Sequence, residues 1–96
     1  MTVTEVVNVV DNRKRLCEII GAKVRYYRTI NRMTQTELAN RLNVSRSVIG
    51  RIEQGTYNHD ISVVRLAEIA EALHINTQYL LTFTEYERNL LEWKDP

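Results

Sequence analysis

Hydrophobic residues recur along most of the chain at spacings of three and four, which is the period of amphipathic α-helices. Residues that interrupt helices are few, with three glycines and one proline, and the proline is the last residue. A first long helix, opened by Asp11 or Asn12, is predicted to end near Asn31. Its predicted buried stripe consists of Leu16, Ile19, Ile20, Val24, Tyr27 and, at the end, Ile30. The pattern therefore predicts an all-α protein.

A second, shorter helix follows at once. Thr34 with Glu37 three residues later has the spacing of a capping box, in which side chain and backbone satisfy each other at a helix start. The helix runs through Leu42 with Leu38, Ala39 and Leu42 facing inward. Asn43 comes next and tolerates the left-handed backbone of a tight turn.

A third helix restarts after that turn, with Ser45 as its N-cap and Gly55 as its stop. On a wheel of roughly 100° per residue, its two faces do not mix. The apolar face holds Val48, Ile49 and Ile52, and the opposite face holds Arg46, Ser47, Gly50 and Arg51. Arginine bonds guanine in bidentate fashion, serine donates or accepts, and glycine lets the backbone approach. The outer face therefore suits a DNA major groove, with the preceding helix crossing the phosphate backbone.

The second half of the chain continues the helical pattern. Ser62 caps a fourth helix through Leu73. Its predicted inward residues are Val63, Leu66, Ala67, Ala70 and Leu73. Asn76 or Thr77 opens a further turn, and Thr84 opens a last helix.

The first ten residues fit two patterns. Four of their five valines match helical spacing, while the density of β-branched side chains favours a strand. These valines are Val3, Val6, Val7 and Val10. The segment is either an arm that pairs with another subunit or a frayed terminus.

Length and composition are those of a single domain, because 96 residues with 44% hydrophobic content supply one core and not two. We divide the chain into an N-terminal extension (1–12), a DNA-binding domain (13–82) and a C-terminal helix (83–96) expected to mediate dimerisation. The single cysteine, Cys17, and the lack of a secretory segment favour a reducing, cytoplasmic setting. No stretch approaches the ~20 apolar residues of a membrane span.

Charge is unevenly distributed, although the net charge is only +1. Residues 1–12 sum to −2, residues 13–58 to +7 and residues 59–96 to −4. A basic middle between acidic ends is the electrostatic footprint of a nucleic-acid partner, here double-stranded DNA.

The stretch "MTQTELANRLNVSRSVIGRIEQG" resembles the phage repressor and Cro-type helix-turn-helix proteins, the Xre family. It has the family's Gln at the start of helix two, the Leu-Ala pair, the Val-Ser entry to the recognition helix and the Ile-x-x-Ile-Glu-x-Gly exit. Further along, "LAEIAEALHI" is similar to the family's fourth helix, and the match covers about Ile20 to Leu81. The resemblance implies a compact five-helix repressor-like domain that binds an operator as a dimer.

The resemblance also implies roles for individual residues. Base contacts are expected from Ser45, Arg46, Ser47 and Arg51. Phosphate contacts are expected from Thr34, Gln35, Thr56, Tyr57 and Asn58. Arg28 and Glu53 are expected to form a buried ion pair. The chain departs from the family at Asn43 and His74, where glycine is usual, and at Ile61, where proline is frequent.

Aromatic and large apolar residues are concentrated near the C-terminus, more than a five-helix core requires. An apolar patch left bare would risk aggregation, so we predict a dimer interface there. Its predicted members are Tyr86, Leu90, Leu91 and Trp93. The alternative is that the last helix folds back over its own domain.

These features predict a homodimeric, sequence-specific transcriptional regulator, a repressor acting at a palindromic operator. One alternative is an antitoxin that represses its own operon, and the protein partner is then a toxin; an anti-repressor is another candidate partner. A second alternative is a helical interaction module that does not bind DNA. No enzyme, cofactor or metal is predicted, because His59, His74 and one cysteine lack metal-ligand spacing and no phosphate-cradling glycine loop occurs.

Overall fold

The computed structural model describes the backbone of residues 3–57 and 61–91, and the side chains from residue 12 onward within those ranges. Over these residues the chain forms six helices and no strand. They are α1 (Val3–Ile30), α2 (Gln35–Leu42), α3 (Arg46–Gln54), α4 (Val63–Ala72), α5 (Gln78–Leu81) and α6 (Glu85–Leu90). The all-α prediction is confirmed. In the same ranges, none of these helices combines the length and apolar character needed to cross a membrane.

The first helix starts earlier than predicted, because α1 runs without a break through Asp11 and Asn12 over 28 residues. The prediction that either residue caps it is therefore wrong, and residues 3–10 are helical rather than extended. Valine lowers helix propensity by well under about 1 kcal/mol per residue, and extending a formed helix needs no new nucleus. The five valines of residues 3–10 are consequently compatible with the continued helix.

The core lies between α1 and the four helices that follow it. Its buried members include Val24, Leu38, Ile49, Ile52, Ile69, Leu73 and Leu80. Three residues predicted to point inward do not. Ile30, the last residue of α1, is 57% exposed, and Val63, the first residue of α4, is 72% exposed. Ala67 is exposed as well, because the buried stripe of α4 is Leu66, Ile69, Ala70 and Leu73.

Helix starts and stops follow local sequence closely. Thr34 and Thr84 each form a complete capping box, and the Ser62 side chain caps α4. Asn43 ends α2 with a φ of 56°, and Gly55 ends α3 with a φ of 73°, both left-handed as expected. His74 is also left-handed, with a φ of 59°. The structure adds Arg32 to this group, at a φ of 56°, which no sequence signal indicated.

The last helix folds back on its own domain through Lys23 of α1. The Lys23 Nζ atom lies 2.9 Å from Glu87 Oε2, and it sits 5.5 Å from the ring centroid of Phe83. Leu91, just after α6, is fully buried within its own chain. The prediction that Leu91 lies in a dimer interface is therefore wrong, since its side chain is not available to a second subunit. Trp93 lies outside the described residues.

We expect acid to weaken the docking of α6. Burial alone would raise the pKa of Glu87, but hydrogen bonds from Thr84 and Lys23, with the charge of Lys23, together hold it below its ordinary value. A lowered pKa in the folded state contributes stability at neutral pH that is lost as the pH falls below the ordinary value. Thermal melts between about pH 7 and about pH 3 should therefore show a shallower acid loss for Glu87→Gln than for the wild type. Glu85 lies in the same first turn of α6, two residues before Glu87, and its side chain is exposed. Glu85→Gln is therefore the control, and its stability should change with pH as that of the wild type does.

Candidate nucleic-acid interface

A three-residue turn sets the angle between α2 and α3. The left-handed Asn43 reverses the chain, and the Val44 amide donates to the Ala39 carbonyl at 3.0 Å. On either side of the turn, Leu38 of α2 and Ile49 of α3 are fully buried in the same core. The two helices are thus held at a fixed angle by backbone hydrogen bonds and shared apolar burial.

The outer face of α3 is polar and open, as the wheel predicted. Arg46, Ser47 and Arg51 are exposed, while Ile49 and Ile52 are buried beneath them. A Cβ atom built on Gly50 would meet no atom within 4 Å. The face therefore consists of two guanidinium groups, a hydroxyl and a gap at the glycine.

A close backbone approach holds the inner side of α3 against α1. A Cβ atom on Gly21 would collide with the carbonyl oxygen of Ile52 and would lie 2.8 Å from that of Glu53. Only glycine leaves room for the two helices at this crossing. Sequence inspection found Gly21 within a helix but gave no indication of this contact.

A buried ion pair joins α1 to the end of α3. Arg28 Nε donates to Glu53 Oε2 at 2.6 Å, and Arg28 Nη2 donates to Glu53 Oε1 at 3.0 Å. The side chains are 13% and 3% exposed. Arg28 Nη1 also donates to the Met33 carbonyl at 2.8 Å, so the same guanidinium fixes the start of the α1–α2 turn.

This geometry keeps Arg28 charged. The hydrogen bond to Glu53 raises the pKa of Arg28 above its ordinary value, burial acts in the opposite direction, and the charge of Glu53 adds to the increase. The tie between α1 and α3 consequently keeps its positive charge on Arg28 in the folded domain.

Gln35, predicted to contact phosphate, joins the same network. Its Nε2 atom donates to Glu53 Oε1 at 3.1 Å, and the residue is partly buried. Because an amide nitrogen carries two N–H donors, one remains for a phosphate. The phosphate role of Gln35 stays a prediction.

The other predicted phosphate contacts differ in accessibility. Thr34 and Thr56 are exposed, and the Thr34 hydroxyl already accepts from the Glu37 amide at 3.0 Å. Tyr57 is partly buried and packs against the core. Asn58 lies outside the described residues. Of the loop after α3, the structure describes an exposed Thr56 and a partly buried Tyr57.

Two side chains tie the C-terminal end of α4 to the end of α1 and to α2. Asn31 Nδ2 donates to the Leu73 carbonyl at 2.8 Å, and Arg41 Nη1 donates to the Ala72 carbonyl at 3.0 Å. Arg41 also lies 3.1 Å from His74 Nε2. These contacts satisfy carbonyls that a helix end leaves unpaired, and they fix α2 relative to α4.

Two short helices joined by a left-handed turn, the second with an exposed basic face, define a helix-turn-helix DNA-binding domain. The helix-turn-helix family model matches residues 24–80, and the chain belongs to this family. The Cro and Xre type predicted from the sequence is confirmed, and the class is that of DNA-binding transcriptional regulators.

Two relatives show how far the similarity extends. An uncharacterised HTH-type transcriptional regulator of Methanocaldococcus jannaschii is 42% identical over 41 residues, which are 43% of this chain and 62% of that protein. Control protein C.SmaI of Serratia marcescens is 35% identical over 65 residues, or 68% of this chain and 75% of its own length. The match with this chain therefore covers less than two thirds of the Methanocaldococcus protein. It covers three quarters of the Serratia protein.

Proposed function

We propose that this protein is a repressor that binds a palindromic operator as a homodimer, with the outer face of α3 in the major groove. The observation that supports this proposal is the exposed strip of Arg46, Ser47 and Arg51 around Gly50, where a Cβ atom would meet nothing within 4 Å. Arginine and serine are suited to base edges, and the missing side chain lets the helix backbone approach the DNA.

The packing of α3 against α1 favours base readout over sequence-independent electrostatic binding. Its inner side is fixed by the Gly21 crossing and by the ion pair of Glu53 with Arg28. A recognition helix that is held in place before binding loses less conformational freedom when it docks on DNA. The α2 helix would then cross the phosphate backbone, with Thr34 and Gln35 at its start.

Arg46 and Arg51 are expected to play different parts. A base reader replaced by alanine should lose about 1–3 kcal/mol on the preferred operator and relax the preference at one base pair. A phosphate anchor should weaken binding to all sequences and reduce the salt slope by about one. We expect Arg46, near the start of α3, to behave as a base reader, and Arg51 to do so more weakly.

Selection from a random DNA pool, followed by titrations at several salt concentrations, measures both effects. Arg46→Lys is the matched control, because lysine keeps the charge and the salt slope but lacks the planar fork of donors that matches the guanine edge. If the Arg46→Ala variant ranks operators as the wild type does, Arg46 does not read a base. A wild-type protein that shows no salt-dependent binding to DNA would argue instead for an interaction module that does not bind DNA.

The homodimer is expected to place two α3 helices about 34 Å apart on half-sites ~10 bp apart, centre to centre. Of the predicted interface, Tyr86 is 72% exposed and Leu90 is partly buried, so both stay candidates. A second exposed apolar surface lies on α1 and α5, where Tyr26 is 59% and Tyr79 is 48% exposed.

Light scattering should give a dimer that Tyr86→Asp dissociates, because a charge at a buried contact is costly. Tyr79→Asp is the matched variant on the other surface. Dissociation by Tyr79→Asp alone would move the interface to α1 and α5, and a monomeric wild type would refute the homodimer.

A further inference from the structure

Four helices begin after a hydroxyl residue whose backbone is extended, as helix capping requires. In three of them the side-chain oxygen accepts a hydrogen bond from the amide three residues later. The acceptors are Thr34, Ser62 and Thr84, at distances of 3.0, 3.0 and 3.1 Å from the amides of Glu37, Arg65 and Glu87. Ser45, at the start of α3, has the same backbone conformation, with a φ of −76° and a ψ of 155°. Among the described residues it is the one extended hydroxyl cap that makes no such bond.

The Ser45 hydroxyl is used differently. Its Oγ lies 3.0 Å from the Oγ of Ser47, within hydrogen-bond distance, and either hydroxyl can donate. Both residues are exposed, and Ser47 belongs to the outer face of α3. The first turn of α3 has no acidic residue either, so no carboxylate compensates for the missing cap. Helix stability alone does not account for this arrangement, because the capping geometry is available and unused.

A hydrogen bond between the hydroxyls restricts what Ser47 presents to a ligand. An isolated serine hydroxyl turns among three staggered positions, and its proton rotates to suit any partner. The hydrogen bond to Ser45 uses either the proton or one lone pair of the Ser47 hydroxyl. The direction of the donor or acceptor that Ser47 has left is then fixed. A polar group oriented before binding discriminates better between the donors and acceptors of base edges.

We propose that Ser45 is a positioning residue whose hydroxyl holds that of Ser47 toward the base edges, so that the two serines read one base pair as a unit. This inference rests on the proposed function. It replaces the two roles predicted for Ser45 from sequence, the side-chain cap of the third helix and an independent base contact.

Thermal stability separates the positioning role from capping without any DNA. Ser62 is the matched control, because its hydroxyl makes the capping bond at the start of α4. Ser62→Ala should lower the Tm by about 4–8 °C, the effect of losing a typical cap in a domain of this size. Ser45→Ala should leave the Tm within about 1–2 °C of the wild type. An equal loss in the two variants would overturn the proposal, since Ser45 would then act as a cap.

The base-preference profile, measured by selection from a random pool, tests the positioning itself. Ser45→Ala and Ser47→Ala should each relax preference at the same base pair by about five-fold, the worth of one hydrogen bond. The double variant should lose no more than Ser47→Ala, and Ser45→Thr, which keeps the hydroxyl, should restore the preference. Additive losses, effects at different base pairs or an unchanged profile in either single variant would each overturn it.

Failure of this role is distinguishable from failure of the proposed function. A wild-type protein without any base preference would remove both. A clear wild-type preference that persists in Ser45→Ala, while Arg46→Ala abolishes it, would remove only the role of Ser45.

Discussion

Replacing Arg28 with alanine should lower the Tm by more than about 10 °C. The change leaves Glu53, which is 3% exposed, with Gln35 as its remaining hydrogen-bond donor in the described network. Stranding one member of a buried pair costs about 3–5 kcal/mol. In a domain of this size each kcal/mol corresponds to about 4–8 °C. Thermal melts followed by circular dichroism measure the effect directly.

An exposed ion pair within the same protein provides the control. Arg65 Nη1 lies 3.9 Å from Glu68 Oε1, and the two side chains are 32% and 50% exposed. Such a pair contributes about 0–1 kcal/mol, so Arg65→Ala should change the Tm little. If the two alanine variants melted alike, the Arg28 pair would contribute no more than a surface contact.

A second variant tests whether the stranded charge is the cause. Adding Glu53→Gln to Arg28→Ala removes the unpaired carboxylate and should recover part of the lost stability, because a neutral amide is less costly to bury. Arg28→Lys should be intermediate, since one ammonium cannot reproduce the bidentate contact together with the bond to Met33. A double variant no more stable than Arg28→Ala would point to lost packing instead.

Gly21→Ala should also destabilise the domain, by about 1–3 kcal/mol or more. The new methyl group would collide with the carbonyl oxygen of Ile52 and approach that of Glu53, and both belong to the backbone of α3. A backbone cannot rotate aside as a side chain does, so α1 and α3 would have to separate. Denaturant unfolding should show the loss as a lower midpoint with an unchanged slope.

Gly50→Ala is the control for this substitution. Both glycines lie within helices, but a Cβ atom at Gly50 would meet nothing within 4 Å. Alanine is favoured over glycine in a helix by about 0.8–1.0 kcal/mol, so Gly50→Ala should raise stability. The two variants should therefore differ in sign, and a stabilising Gly21→Ala would mean that the helices do not approach as closely as described.

Short-range features of the fold could be predicted from the sequence because they depend on a few neighbouring residues. The capping box of Thr34 and Glu37 and the left-handed end at Asn43 are of this kind. Contacts between residues far apart could not be predicted in this way. Lys23 and Glu87 are 64 positions apart, and nothing in either local pattern indicates the other. The sequence accordingly leaves two alternatives for the docking of α6.

The candidate site shows the same division. Periodicity predicted the outer face of α3, because the burial of Ile49 and Ile52 forces their neighbours outward. The hydrogen bond of Ser45 could not be predicted, since the residue type and the backbone suit capping and the choice depends on Ser47. The contact of Gly21 with α3 likewise depends on how two helices cross.

If the outer face of α3 enters the major groove as proposed, the gap at Gly50 is a position where its base contacts can be changed. The Cβ atom of a side chain introduced at this position would meet no atom of its own protein within 4 Å, so an alanine fits there without any change in the core. Most substitutions on a packed helix alter stability and recognition together, which limits how freely either can change. At position 50 a single mutation can add a contact to the recognition surface while the fold is conserved. A library of variants at this one codon would consequently test whether residue 50 contributes to the operator preference.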